Sequence, residues 1–197
     1  MNEISDLINV LTKLPGFGKK NATRLSYFIM NNKNIGGEIA RTIEKTIKNV
    51  KFCNVCGNYT TEDICEICKD TRRDNSIICV VEEAKDMLAI EETGSYRGLY
   101  HILMGAINPL DGKNPDKLKF KELEARLSSN NLTEVLIATN PTIDGDSTFL
   151  FLLGILSKYP IKVSRIATGI PAGGSLEYSD QTTLSKAIIG KVYVKNL

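Results

Sequence analysis

The sequence predicts a multi-domain α/β protein, and three patterns along its 197 residues carry this prediction. A helix, a Pro-Gly-Phe-Gly turn and a second helix open the chain. Two Cys-x-x-Cys pairs follow, and then apolar runs alternate with helical segments. Such alternation is typical of a parallel sheet covered by helices. We therefore expect a helical domain (1–52), a cysteine knuckle (53–68), an α/β body (76–171) and a C-terminal extension (172–197).

The N-terminal part is predicted to be helical and positively charged. Apolar spacing predicts helices over about residues 3–14, 19–30 and 38–51, with a loop over 31–37. Residues 1–51 hold nine Lys or Arg and four Asp or Glu, which gives a net charge of +5 and leaves −3 for the remainder of the chain. This asymmetry suits a polyanion partner, and a solvated helical surface is the alternative explanation.

The turn between the first two helices matches a helix-hairpin-helix. Gly16 and Gly18 let the backbone approach a ligand closely, and N–H groups at the start of the second helix can point toward a phosphate. Lys19 and Lys20 begin that helix, and Arg24 follows one turn after Lys20 on the same face. These three side chains are the candidate DNA contacts, and phosphate contacts carry no sequence information. The alternative is an ordinary helical hairpin with a tight turn.

The two Cys-x-x-Cys pairs are separated by eight residues, 57–64. Two such pairs can complete a tetrahedron of thiolates, the geometry that zinc prefers in structural sites. The spacer is long enough for a small hairpin but too short for a core, so a bound metal would supply the order. Two disulfides or a redox dithiol are the alternatives, but redox motifs use a single Cys-x-x-Cys. The pattern therefore predicts a structural Zn²⁺ site at four residues: Cys53, Cys56, Cys65 and Cys68.

The α/β body begins with an apolar run, residues 77–81, that is typical of a strand buried on both faces. Further expected elements are a helix at 84–92, a strand at 98–103, a helix at 117–127, a strand at 134–139, a helix at 147–159 and a strand at 161–167. Cys79 is expected to be a small buried side chain. His101, the sole histidine, is expected in the core rather than as a general base. Arg126, four residues after Glu122, is expected on the outer face of its helix.

Acidic residues follow two of the predicted strands. Glu82 comes after the first strand, and Asp144 and Asp146 come after a later one. The carboxyl ends of parallel strands meet at one edge, where ligands bind in open α/β sheets. Carboxylates at such an edge can hold Mg²⁺, and Glu83 could substitute for Glu82. The alternative is that these acids are solvated or cap the helices that follow.

The overall composition is that of a globular protein, with 42% hydrophobic and 24% charged residues. The first residues show neither the basic nor the apolar region of a signal peptide. The longest apolar run, 149–156, is far shorter than a membrane span. Five cysteines, four of them in a metal pattern, suit a reducing compartment. We therefore expect a cytoplasmic protein without a membrane partner.

Taken in order, these motifs resemble the RecR family of bacterial recombination mediators over essentially the whole chain. The resemblance rests on the hairpin with Lys20 and Arg24, on the four cysteines, and on five segments: 78–83, 98–103, 108–112, 138–141 and 169–180. It implies that the body is a Toprim domain and that a homo-tetrameric ring encloses single- or double-stranded DNA. It also implies that the C-terminal segment closes the ring, and that the protein acts with RecO and RecF to deliver RecA.

Two departures from the family pattern affect the expected site. Thr168 stands where the family usually has an arginine, and Asp144 and Asp146 stand where it often has glutamates.

Toprim domains also serve topoisomerases, primases and nucleases, so a small Mg²⁺-dependent nuclease is the alternative function. A topoisomerase needs a tyrosine nucleophile from a further domain, for which a chain of this length has no room. The favoured hypothesis is a non-enzymatic DNA clamp and repair adaptor.

Overall fold

Two units, Met1–Val50 and Lys51–Leu197, divide the chain. The computed structural model describes residues 3–129 and 131–192, so the last five residues of the expected C-terminal extension lie outside the described part. The first unit contains three helices: α1 (Glu3–Leu11), α2 (Lys19–Asn31) and α3 (Lys33–Asn49). The small residues Ala22 and Ser26 of α2 are buried. The Ser26 hydroxyl donates to Ala22 O at 2.9 Å, so this buried polar group has a hydrogen-bond partner.

The expectation of a loop over residues 31–37 is wrong. Helix α3 begins at Lys33 and includes both glycines of that segment, Gly36 and Gly37. Asn32 alone separates α2 from α3, and its backbone and side-chain amides donate to Phe28 O at 2.9 and 2.8 Å. A β-carbon on Gly36 would lie 2.6 Å from Ile29 Cγ2. The glycine therefore allows a close helix–helix approach rather than breaking a helix.

A small knuckle begins the second unit. Strands β1 (Lys51–Phe52) and β2 (Tyr59–Thr60) pair antiparallel, and the one-turn helix α4 (Glu66–Lys69) follows. The Phe52 and Tyr59 rings stack across this pair with centroids 5.2 Å apart. The spacer between the cysteine pairs thus contributes one strand of a small hairpin, whose other strand precedes Cys53.

The predicted parallel sheet is confirmed. Its four strands lie in the order β4-β3-β5-β6, and every neighbouring pair is parallel. Val81 at the end of β3 pairs with both Ile102 of β4 and Ala138 of β5, so three strands end at the same level. The elements of the body are β3 (Asp74–Val81), α5 (Ala84–Glu92), β4 (Gly98–Ile102), α6 (Phe120–Ser129), β5 (Glu134–Ala138), α7 (Ile143–Leu156), β6 (Lys162–Arg165) and α8 (Gln181–Ile189).

The central strand β3 is buried on both faces, as predicted. Ile78 and Val80 face one apolar cluster, in which leucines of α6 and α7 pack, and Cys79 and Val81 face a second cluster with Met87. All four strand side chains are fully buried. Burial raises the pKa of Cys79 to about 12, so this thiol stays protonated and behaves as a small apolar group.

Helix α7 begins four residues earlier than expected. Thr142 caps it, because the Thr142 hydroxyl accepts from Gly145 N at 3.0 Å. Asp144 and Asp146 therefore lie in the first turn of a helix, where negative charge is favourable. In the described parts of the chain, no helix is both long enough and apolar enough to cross a membrane.

Candidate metal centre and nucleic-acid interface

The knuckle brings together the sulfurs of four cysteines: Cys53, Cys56, Cys65 and Cys68. All four sulfurs lie within 4.8 Å of one another, and those of Cys56 and Cys65 are 3.6 Å apart. A tetrahedron with Zn–S bonds of about 2.3 Å has an edge of about 3.8 Å, so the sulfurs fit zinc. None of them forms a disulfide. Over residues 3–129 and 131–192, no other group of three or more His, Cys, Asp or Glu ligand atoms comes this close.

Backbone amides stabilise the sulfur cluster. Asn58 N donates to Cys56 Sγ at 3.4 Å, and Cys65 N donates to Cys53 Sγ at 3.3 Å. Such N–H···S hydrogen bonds favour the thiolate. The hydrogen bond with Cys65 and burial nevertheless raise the pKa of Cys56 above its ordinary value. A divalent cation is therefore what would allow all four cysteines to be thiolates together.

The knuckle packs directly on the edge strand of the sheet. Ile102 N of β4 donates to Cys56 O at 2.8 Å. Gly57, with φ of +83°, approaches so closely that a β-carbon there would lie 3.3 Å from Ile102 O. The metal-binding turn is thus joined to the backbone of β4 and not only to its side chains.

The expectation that Arg126 lies on the outer face of its helix is wrong. The residue is only 9% exposed, and its side chain is buried beneath α6. Its Nη1 donates to Tyr100 O at 2.6 Å and lies 3.4 Å from His101 Nδ1. A signal for this burial is present in the sequence, because Arg126 lies three residues after Leu123 and directly before Leu127, beside the apolar stripe of the helix.

His101 is a satisfied core residue, as predicted. It is 1% exposed, and its Nε2–H donates to Lys119 O at 2.7 Å, which leaves Nδ1 as an acceptor facing Arg126. Burial lowers the pKa of His101 to about 4, and the positive charges of Arg126 and Lys119 act in the same direction. The imidazole is therefore neutral at physiological pH.

The hairpin residues Lys19, Lys20 and Arg24 are all exposed on α2. The turn before them is tight, with φ of +78° at Gly16. Gly18 is the N-cap residue and offers no side chain to the first amides of the helix, and the first turn contains no acidic residue. Two lysines thus lie at the positive end of a helix whose amides have no side-chain cap.

Glu82 already has hydrogen-bond partners for both of its carboxylate oxygens. The residue is 7% exposed, and it accepts from Asn140 N at 2.8 Å and from Asn140 Nδ2 at 2.7 Å. Its carboxylate therefore fixes the segment between β5 and α7. Glu83, the suggested substitute, caps α5: its N–H donates to the Asp86 carboxylate at 2.9 Å, and its own carboxylate pairs with Lys85.

The two aspartates of α7 have different partners. Asp144 accepts from Asn108 Nδ2 at 2.9 Å. Asp146 pairs with Arg165 and lies 3.6 Å from Lys186, and the Arg165 guanidinium holds the pKa of Asp146 below its usual range. The three carboxylates proposed for Mg²⁺ do not form a cluster, so this geometry gives the magnesium hypothesis no support.

The parallel sheet and the four-cysteine knuckle on its edge strand are the architecture of a Toprim protein that carries a zinc finger, a class that the family models identify. Three family models agree: the Toprim domain matches residues 76–167, the RecR four-cysteine zinc finger domain matches 50–70, and the RecR C-terminal model matches 169–192. The chain belongs to the RecR family, as its similarity to curated relatives establishes.

Those relatives are named Recombination protein RecR. The protein of Tropheryma whipplei (strain Twist) is 45% identical over 97% of each chain. That of Cutibacterium acnes is 43% identical over 97% of this chain and 96% of its own. That of Streptomyces coelicolor is 44% identical over 95% of each chain. Membership supports a role in DNA recombination, and the zinc-finger match agrees with the four clustered sulfurs.

Proposed function

We propose that the chain is a DNA-binding recombination mediator that acts as a clamp and adaptor without catalysing a reaction. The observation that carries the proposal is the N-terminus of α2, where the exposed Lys19 and Lys20 begin a helix whose first amides have no side-chain cap. On this proposal Lys19, Lys20 and Arg24 contact DNA phosphates. The protein then acts with RecO and RecF to deliver RecA, as its family suggests.

The electrostatics of this helix end favour an anion. A helix N-terminus carries roughly half a positive charge, so lysines in the first turn are unfavourable unless a negative group neutralises them. A phosphate oxygen supplies that charge and also accepts hydrogen bonds from the exposed amides. Because the phosphate backbone is the same at every base pair, binding would be independent of sequence.

Exposed apolar stripes support assembly into a ring. On α3 the side chains of Ile35, Ile39, Ile43 and Ile47 repeat every four residues and are 40–77% exposed. Ile188 and Ile189 of α8 are also exposed, at 60 and 79%. Contacts between copies would remove this apolar surface from water. A homo-tetramer, with residues 172–197 as an oligomerisation segment, provides such contacts.

A clamp without catalysis agrees with the environment of the Toprim acids. Glu82 binds the Asn140 segment through both carboxylate oxygens, and Asp146 pairs with two cations. The competing function, an Mg²⁺-dependent nuclease, would be established by reproducible cleavage of labelled DNA or RNA that disappears in Asp144→Ala.

DNA binding by a charge-reversal variant tests the proposal. Lys20→Glu with Arg24→Glu should weaken binding to all sequences alike and reduce the slope of log K against log salt by about 2, since about 0.9 counterions are released per phosphate contact. Lys33→Glu with Arg41→Glu makes the same charge change on α3 and serves as the control. Equal losses in the two variants would indicate a general charge effect and would contradict the hairpin site.

A further inference from the structure

Two backbone groups at the outer edge of β4 bring Arg126 next to the metal centre. Tyr100 O and Ile102 N belong to alternate residues of the strand and so point to the same edge, away from β3. The Arg126 guanidinium donates to Tyr100 O, and the Cys56 carbonyl accepts from Ile102 N. The guanidinium of α6 and the metal-binding turn of the knuckle therefore occupy neighbouring positions on one strand.

A zinc centre with four thiolate ligands at this position would carry a buried negative charge. Four thiolates and one Zn²⁺ have a net charge of −2, and three of the cysteines are at most 3% exposed. The N–H···S hydrogen bonds from Asn58 and Cys65 offset only part of that charge. A buried charge is costly without a counter-charge nearby, and groups around the ligands tune how tightly a metal is held.

Arg126 is a buried positive charge and so needs a negative group nearby, just as the zinc centre needs a positive one. A guanidinium remains protonated in proteins, so burial costs free energy unless negative groups face it. Burial lowers the pKa of Arg126, and the sulfurs of Cys68, Cys56 and Cys53 act in the opposite direction.

A second guanidinium on the same strand provides a comparison. Arg73 donates to Gly98 O at 2.9 Å, as Arg126 does to Tyr100 O. Its charge is balanced by a carboxylate, because it pairs with Glu91. Both arginines thus bind a carbonyl of β4 through Nη1. Arg73 is also paired with a carboxylate, whereas the next backbone group along the edge from the Arg126 site, Ile102 N, binds the metal-binding turn at Cys56.

We propose that Arg126 is the buried counter-charge of the four-cysteine zinc centre and that it holds the knuckle against the edge of the Toprim sheet. It is a positioning residue: it binds no metal, but its charge raises zinc affinity and its hydrogen bond to Tyr100 fixes where that charge lies. The zinc centre and the Toprim core are then coupled, so each is less stable without the other.

The test measures zinc affinity of the full chain by chelator competition in Arg126→Met, Arg126→Lys and a matched control, Arg73→Met. We expect Arg126→Met to lose zinc affinity by about tenfold or more. Arg126→Lys should recover most of it, because lysine keeps the positive charge. Arg73→Met, which removes a guanidinium whose charge is balanced by Glu91, should bind zinc as the wild type does even though it unfolds more easily.

Cobalt substitution adds a spectroscopic readout, since the energy of the sulfur-to-Co²⁺ charge-transfer band responds to charge near the thiolates. The band should shift in Arg126→Met and stay near the wild-type position in Arg126→Lys.

Wild-type zinc affinity in Arg126→Met, or an equal loss of zinc affinity in Arg126→Met and Arg126→Lys, would overturn the proposal. If Arg126→Met does not fold, Arg126→Gln replaces it. If Arg126→Lys is the only one of the three variants that folds, the result supports a role for the positive charge. If none of the three folds, the result contradicts the proposal, because the charge alone does not replace Arg126.

Discussion

Gly145 lies against Glu82 so closely that a β-carbon on the glycine would be 2.8 Å from Glu82 Oε1 and 2.0 Å from Asn140 O. The first turn of α7 therefore packs onto a carboxylate buried at the end of β3. The glycine is required by this contact and not by an unusual backbone angle. The contact joins two segments that are far apart in sequence, and several of the predictions below concern such contacts.

Gly145→Ala should destabilise the protein by about 1–3 kcal/mol, because the new methyl group must displace the backbone of Asn140. Gly154→Ala is a matched control in the same helix, since a β-carbon there meets nothing within 4 Å. It should be neutral or stabilise the helix by up to about 1 kcal/mol. Urea unfolding of the two variants measures the difference, and similar stabilities would contradict the close contact.

Glu82→Gln should lower the free energy of unfolding by about 1–3 kcal/mol, because its amide would direct a donor at one of the two donors of Asn140. Thermal unfolding measures this effect. A variant with unchanged stability but altered Mg²⁺ binding would instead favour a metal site at this position.

Cys65→Ser should abolish stoichiometric zinc and disorder the knuckle, since three ligands remain of the four that cluster. Elemental analysis of the purified protein measures the zinc. Cys79→Ala is the control, because Cys79 is buried in the sheet and is not part of the cluster. It should retain one zinc per chain, and full zinc occupancy in Cys65→Ser would rule out the four-cysteine site.

His101 should make stability depend on pH. Its pKa is about 4 in the folded protein, below the ordinary value of 6.5. The unfolded chain therefore binds the proton first as pH falls, so stability is complete above about pH 6.5 and decreases toward pH 4, by up to roughly 3 kcal/mol. His101→Gln removes this titration. Because acid also protonates the cysteines in both proteins, the measurement is the difference between their stability–pH slopes over this range.

Self-association should depend on the apolar stripe of α3. Light scattering at micromolar concentration should give a mass near four chains for the wild type. Ile39→Glu with Ile43→Glu should reduce that mass, because charges would enter an apolar contact. Leu110→Glu, at a residue that is 98% exposed in a loop, should leave the mass unchanged. A strictly monomeric wild type would contradict the ring.

Local patterns in the sequence predict much of this structure. The runs at 77–81 and 134–139 predict the central strands because strands buried on both faces are continuously apolar. The cysteine spacing predicts the knuckle because metal ligands in such sites lie close in sequence. These signals need no knowledge of what the residues pack against.

What the sequence did not reveal depends on the partner that each residue meets in the folded chain. Arg126 is buried because it meets the carbonyl of Tyr100, 26 residues away. Glu82 binds the backbone of Asn140, 58 residues away, a structural contact that the position of this acid after a strand does not reveal. Gly36 lies within α3, and Ile29 of the preceding helix occupies the space that a β-carbon on it would need. Composition and periodicity do not identify such partners, although the apolar stripe beside Arg126 indicates that it is buried.

The hydrogen bond from Ile102 N to Cys56 O has a further consequence, because β4 is the edge strand of the sheet. An uncovered edge of this kind is a template on which another chain can add a strand, and proteins that expose one tend to aggregate. The knuckle therefore protects the sheet as well as binding metal. Removal of the metal by a chelator should therefore expose this edge and lead to association through intermolecular β-structure.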